Sequence, residues 1–201
     1  MLANGGCKVV DGGRSMNPSA QDILTGIKEA NAETVFVFPN HKNVFLAATQ
    51  AKEMCDFCEV IVIPSEDVGH CYQAISFFDP ELTADELIGC FTAARDLGKT
   101  VQVAKASRTC NENGLAVEIG DWLCFDHDRI LVAAKDKNEA ILRFFEGYPD
   151  CPDLAILLFG EGESEENASA LAEALTERFP DTEFIPTNGG QPIYHYTIII
   201  R

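Results

Sequence analysis

No stretch of this sequence approaches the about eighteen consecutive apolar residues that a membrane-spanning helix needs, so an integral membrane segment is not expected. The opening MLANGGCKVVDGG has neither the apolar centre nor the cleavage pattern of a secretion signal, which gives a cytoplasmic protein as the expectation. Basic residues are scarce. Fifteen Lys and Arg stand against 32 Asp and Glu, and the resulting charge of −17 repels phosphate backbones and anionic lipid surfaces, so nucleic acid is not an expected partner. Such an excess of acid serves either to steer a basic protein partner or simply to keep the surface soluble.

The motifs of self-sufficient phosphoryl or hydride chemistry are missing too. Asn4-Gly-Gly6 and Asp11-Gly-Gly13 are followed neither by Gly-Lys-Ser/Thr nor by a G-x-G-x-x-G turn, and read as flexible turns. Cys55-Asp-Phe-Cys58 has metal or thiol spacing, but a zinc site takes four ligands and no second such pair exists. Asp56 and Glu59 also oppose the lowered thiol pKa that redox work requires. All eight cysteines are expected to stay reduced in the cytoplasm, and most lie inside apolar patterns as small hydrophobes, Cys71, Cys90 and Cys124 among them. Four histidines are widely separated and none joins a Ser and an Asp at a nucleophile elbow.

What is present is a foldable chain of 201 residues, 46% of them hydrophobic, long enough for one large domain or two small lobes. Up to about Gly98, helix and strand patterns alternate: a helix from Ser19 to Ala30, a strand at 34–38, a helix from Val44 to Met54, a strand at 59–63. A helix bearing Val68, Cys71, Tyr72 and Ile75 follows, then one opened by a Thr83/Glu86 capping box. This alternation predicts a parallel, doubly wound lobe over 1–98. Beyond it, strand-like runs at 100–106, 115–119, 122–125 and 129–133 follow one another with no helix between them. Asn111-Glu-Asn-Gly114 and Asp126-His-Asp128 supply turns, predicting antiparallel hairpins. A helix with Ile141, Phe144 and Phe145, a strand at 154–159, a helix with Ala168, Leu171, Leu175 and Phe179, and strands at 182–185 and 193–200 complete a mixed α/β lobe over 99–201.

Candidate site residues come from the loops that such a sheet presents to ligands. The loop Asp11–Ser19 ends at a helix start where Ser19 caps and Asp22 completes a box, and its amides suit an anion or merely begin the helix. Pro39-Asn-His-Lys-Asn43 opens the next helix, and His41 and His70 both fall just past predicted strands, whereas His127 lies in a hairpin turn. Asn188-Gly-Gly-Gln-Pro192 reads as a turn before the last strand.

Together these segments resemble the C-terminal domain of the FakA (YloV-like) fatty acid kinase subunits, a dihydroxyacetone kinase-like group. VVDGGRSMNPSAQDI, VFVFPNHKNVFLAATQA, VIVIPS and NGGQPIYHY look like that family's blocks, in order and across essentially the whole chain. The resemblance implies a domain that engages the separate DegV-like fatty-acid-binding protein, FakB. The remainder of its own kinase chain would supply ATP and Mg, with no cofactor, no metal and no catalytic residue here. A more distant likeness to the DegV-like binders implies a shared two-lobed fold. It pairs their T-S-Q-P-S segment with Ser15-Met-Asn-Pro-Ser19, and their hydroxyl-rich S-S-x-L-S-G-T segment with the region at Pro39–Phe45, where Asn40, His41 and Asn43 stand in place of carboxylate-holding hydroxyls. Within the FakA-like group itself, His41 stands where Asn is usual and Gly69-His-Cys71 replaces a Gln-Gly segment.

Three readings follow. The first is a docking domain for the fatty-acid carrier. The second is an anion or acyl ligand site between lobes, with Ser15, Asn17, Asn40 and His41 as donors. The third is a transferase or hydrolase resting on Ser15 and His41, the only nucleophile and base pair to test. Ser15, Asn17, Ser19, Asn40, His41, Asn43, His70, Gly189, Gly190 and Gln191 are the candidate ligand- or partner-binding residues.

Overall fold

A computed structural model describes residues 7–112, 114–149 and 151–201. The Asn4-Gly-Gly6 turn and Asn113 of the first hairpin turn lie outside these. The chain divides between Gly98 and Lys99 into two compact units.

In the first unit, helix α1 (Ala20–Ala30) precedes strand β1 (Thr34–Val37), and helix α2 (Lys42–Met54) leads to strand β2 (Glu59–Val62). Helices α3 (Val68–Ile75) and α4 (Ala84–Ala93) follow. β1 and β2 pair in parallel, Val35 opposite Val60 and Val37 opposite Val62. Because successive side chains of a strand point to opposite faces, this short sheet feeds two cores. Val35, Val37, Val60 and Val62 pack with Ile23 and Ile27 of α1 and Val44, Ala48 and Ala51 of α2. Phe36, Phe38, Ile61 and Ile63 pack instead with Ala74 of α3 and Leu87 and Phe91 of α4. The doubly wound pattern read from the sequence is therefore realised as helices on both faces of a two-stranded sheet.

Two capping boxes start α1 and α4 where the sequence places them: Ser19 accepts from the Asp22 amide while Asp22 accepts from the Ser19 amide, and Thr83 and Glu86 do the same. These bonds, from the cap hydroxyl first and the cap amide second, hold both carboxyls below their ordinary values of 3.8 and 4.5. A depressed folded-state pKa adds stability that is complete above the ordinary value and lost as pH falls through the lowered one. An acid titration followed by circular dichroism should therefore show a shallower loss of stability below about pH 4.5 in the D22N/E86Q variant than in the parent.

The second unit is built on a six-stranded mixed sheet in the order β7-β6-β3-β10-β8-β9. Its strands are β3 (Lys99–Lys105), β6 (Trp122–Asp126), β7 (Arg129–Ala134), β8 (Leu154–Phe159), β9 (Glu183–Asn188) and β10 (Tyr196–Ile200). A separate hairpin joins β4 (Cys110–Glu112) to β5 (Leu115–Val117). β10 is antiparallel to both β3 and β8, and β9 is parallel to β8. Helices α5 (Lys137–Glu146) and α6 (Glu165–Arg178) pack Ile141, Phe144, Phe145, Ala168, Leu171 and Leu175 against Val101, Val103, Leu157 and Ile198 of the sheet.

Three strands differ from the sequence reading. β4 is short and polar, Cys-Asn-Glu, and carries no alternating signal of its own. β9 runs through Pro186, where a proline suggests a stop; it lies at the sheet edge, where a missing amide forfeits no ladder bond on the open side. The last strand begins at Tyr196 rather than Ile193, because Gly160 and His195 make the loop contacts described below.

Candidate functional site

The carboxyl ends of β1 and β2 carry the first group of candidates. Gly12 and the turn Gly13–Ser15 fold the loop before α1 tightly: a Cβ on Gly12 would lie 2.5 Å from the Asn17 nitrogen and 2.5 Å from the Met16 carbonyl carbon. Ser15 donates its hydroxyl to the Gly12 carbonyl (3.1 Å) and accepts the Asn17 amide (3.4 Å), while the Asn17 side chain donates to the Ser15 carbonyl (2.7 Å). Ser19 is spent on its capping box.

Asn40 takes the left-handed conformation (φ 58°), and its amide donates to the buried Ser65 hydroxyl at 2.9 Å, tying the loop after β1 to the loop after β2. Its side-chain oxygen is buried without a partner. Cys71 lies nearby, its thiol pushed up to about 12 by burial and by Cys7, with the Asn40 side chain opposing. His41 caps α2: its Nδ1 accepts the Asn43 amide at 3.1 Å. His70 is buried, and its Nε2 lies 2.7 Å from the Phe91 carbonyl. Since a carbonyl only accepts, Nε2 carries the proton, and the ring pins α3 to α4. Among the described residues no hydrogen bond joins Ser15 to His41, and each is engaged elsewhere.

The second group sits at one end of the second unit's sheet. Gly189 and Gly190 donate their amides to the Phe159 carbonyl at 2.9 and 3.2 Å, and Gln191 donates from Nε2 to the Leu158 carbonyl at 2.7 Å. Glu161 and Gly160 answer by donating to the carbonyls of Gln191 (3.1 Å) and His195 (3.0 Å). The Gly-Gly-Gln segment is thus laced to the carboxyl end of β8 by its own polar groups.

At that same sheet end lies a cluster that the sequence did not single out. Glu163, only 3% exposed in its side chain, accepts from His195 Nδ1 at 2.8 Å and is ion-paired with Lys137. Lys137, at the start of α5, also stands over the rings of Trp122 (5.6 Å) and Tyr196 (5.4 Å), and Lys105 stands over the Trp122 ring as well, at 5.0 Å. His195 packs edge-on to Trp122 with ring centres 4.7 Å apart. Gly162 makes room for it, since a Cβ there would meet the imidazole at 2.9 Å. The Tyr196 hydroxyl, buried beside Glu163, has no hydrogen-bond partner, and its pKa is driven upward by burial first and by the Glu163 charge second. Lys137, Glu163 and His195 are remote in sequence; only the parallel and antiparallel ordering of β6, β8 and β10 unites them.

Neither group holds a nucleophile against a free base, and no cluster of three metal-ligating side chains occurs among the described residues. Residues 1–201 match the FakA-like family of fatty acid kinase C-terminal domains. The chain is a member of that family. As a FakA-like C-terminal domain it is 31% identical to protein YloV of Bacillus subtilis (strain 168) over 195 residues, which are 96% of this chain and 35% of YloV. It is 24% identical over 198 residues to an uncharacterised protein of Staphylococcus haemolyticus, 98% of this chain and 36% of that one. The domain thus spans about a third of the length of the relatives it matches.

Among solved structures, the Streptococcus pneumoniae fatty acid kinase B3 protein, loaded with linoleic acid, superposes with a TM-score of 0.63 at 14% identity, over 90% of this chain and 75% of that one. Bacillus subtilis DegV, a fatty acid binding protein, gives 0.59 at 15% identity over 92% and 76%. The FakA-like domain therefore has the DegV fold. No helix among its described residues is long and apolar enough to cross a membrane.

Proposed function

We propose that this domain is a non-catalytic docking module that brings a DegV-like fatty-acid carrier to the kinase domain of its own longer chain, where ATP and Mg are held and the acyl phosphate is made. One observation carries the reading: the domain has a carrier's fold, but several polar groups at the head-group positions serve to hold the domain together. The Asn40 backbone amide bridges to Ser65, His41 caps α2 through Nδ1, and Ser15 and Asn17 close their own turn. A carboxylate needs donors left free to receive it. The unpartnered oxygen of Asn40 is an acceptor and repels an anion, which counts against the anion-site alternative.

Titration calorimetry of the domain against its cognate DegV-like carrier, loaded and empty, tests the proposal. Binding is expected with a Kd on the order of 1–10 µM, the strength of a transient interface. A folded domain that takes up neither form of the carrier sinks docking by this domain alone. Heat on adding free fatty acid without carrier supports the ligand-site reading instead.

A further inference from the structure

The eight cysteines do not share one environment. Cys71 and Cys124 are buried, and burial pushes both thiols up to about 12, where almost no thiolate exists near neutral pH. Cys55 and Cys58 differ: they are only partly covered, and their sulfurs lie 3.5 Å apart, the one sulfur pair in contact among the described residues. Cys55 is the C-cap of α2, and the chain bends over the next three residues before β2 starts at Glu59. A helix C-terminus disfavours a thiolate. Here the bend compensates. The Cys55 thiol also donates to the Cys58 carbonyl at 3.6 Å; desolvation raises its pKa, but hydrogen bonding to Phe57 and Cys58 at the bend outweighs that and the Asp56 charge, leaving it below the ordinary value. Burial and the neighbouring sulfur hold Cys58 above its own. Asp56, read from the sequence as opposing thiolate formation, does raise the Cys55 pKa, but is the smallest of the causes acting on it. Met54 and Phe57, 49% and 51% exposed, leave the approach open.

We infer that Cys55 and Cys58 are a reversible dithiol–disulfide site that exchanges with low-molecular-weight disulfides, Cys55 attacking and Cys58 resolving. The Cys55 thiolate attacks one sulfur of the disulfide RSSR, forming a mixed disulfide and expelling RS⁻, which takes up a proton. Cys58 gives its proton to solvent and attacks the Cys55 sulfur, expelling the second RS⁻. Two electrons pass from the protein sulfurs to RSSR, and the products are one protein disulfide and two RSH. The new bond joins the end of α2 to the start of β2, elements that already pack together, so the fold need not open to admit it.

The test equilibrates the reduced chain with oxidised and reduced glutathione in graded ratio near neutral pH, followed by acid quench, alkylation and peptide mass spectrometry. The peptide carrying both cysteines is expected to become unalkylated and lighter by two hydrogens. C58S should accumulate a stable glutathione adduct on Cys55, and C55S should form its adduct on Cys58 more slowly than C58S forms its own. Exposed Cys151 serves as an internal control for unselective oxidation. The inference is overturned if both thiols stay alkylatable in buffers that already modify Cys151, or if the disulfide forms between other cysteines. It is overturned equally if the reduced chain binds one zinc ion that C55S abolishes. Both serine variants change partly exposed sites, and their circular dichroism should match the parent.

Discussion

Replacing Glu163 with alanine should lower the unfolding midpoint of the second unit by roughly 12–15 °C, the consequence of about 3 kcal/mol lost when one member of a buried ion pair is removed. The loss is large because Glu163 is nearly sealed while both partners depend on it. Lys137 and His195 keep side-chain exposures of 18% and 31%, so they can regain some water, which holds the effect at the low end of the range for buried pairs. E163Q should cost less, because the amide keeps an acceptor and surrenders only the charge. The single tryptophan of the chain, Trp122, packs on His195, so its fluorescence reports this unit's melting directly. If E163A melts with the parent, the cluster contributes nothing to stability, and its retention has to be sought in binding.

Gly160→Ala should be comparably damaging, at about 3 kcal/mol, the upper part of what overpacking a tight site costs. An added Cβ would fall 2.3 Å from the Tyr194 carbonyl oxygen and 2.5 Å from that of Gln191. Both are backbone atoms, so relief requires moving the loop, and with it the bonds from Glu161 to Gln191 and from Gly160 to His195. Gly89→Ala is the contrasting control. It lies inside α4 with nothing within 4 Å of the new methyl, and should stabilise by about 0.5–1 kcal/mol through helix propensity. Chemical denaturation of the three proteins separates a clash at one glycine from a general intolerance of alanine.

How far the sequence could be read depended on how local each signal was. The capping boxes at Ser19 and Thr83, the apolar period of α1 to α6 and the strands of unbroken Val, Ile and Leu needed only their own neighbours, and their positions were legible. The loops after β1 and β2 were legible as loops, but not the use made of their polar groups. That His41 caps a helix and His70 bonds a carbonyl 21 residues away are facts of three-dimensional placement. β4 escaped because three polar residues carry no period. The Lys137–Glu163–His195 cluster escaped for a stronger reason, since its members come from segments far apart along the chain; the only local hint was Gly162, whose lack of a side chain admits the imidazole. Family resemblance supplied what periodicity does not: it tied the scattered Gly-Gly blocks into one domain.

β10, one of the two central strands of the second unit's sheet, also comes after all of its sheet partners in chain order. β3, β6 and β7 form one antiparallel group, β8 and β9 a parallel pair, and no ladder joins the two groups except through β10. A ribosome that has not yet released Tyr196–Ile200 therefore carries two half-sheets, each with an open inner edge, that of β8 being Leu-Ala-Ile-Leu-Leu-Phe. Such edges recruit strands from other chains, and pairing β3 with β10 across most of the unit's length is a slow, non-local closure. The unit's most buried strand thus follows all its partners, and until it pairs, the two half-sheets present edges open to aggregation.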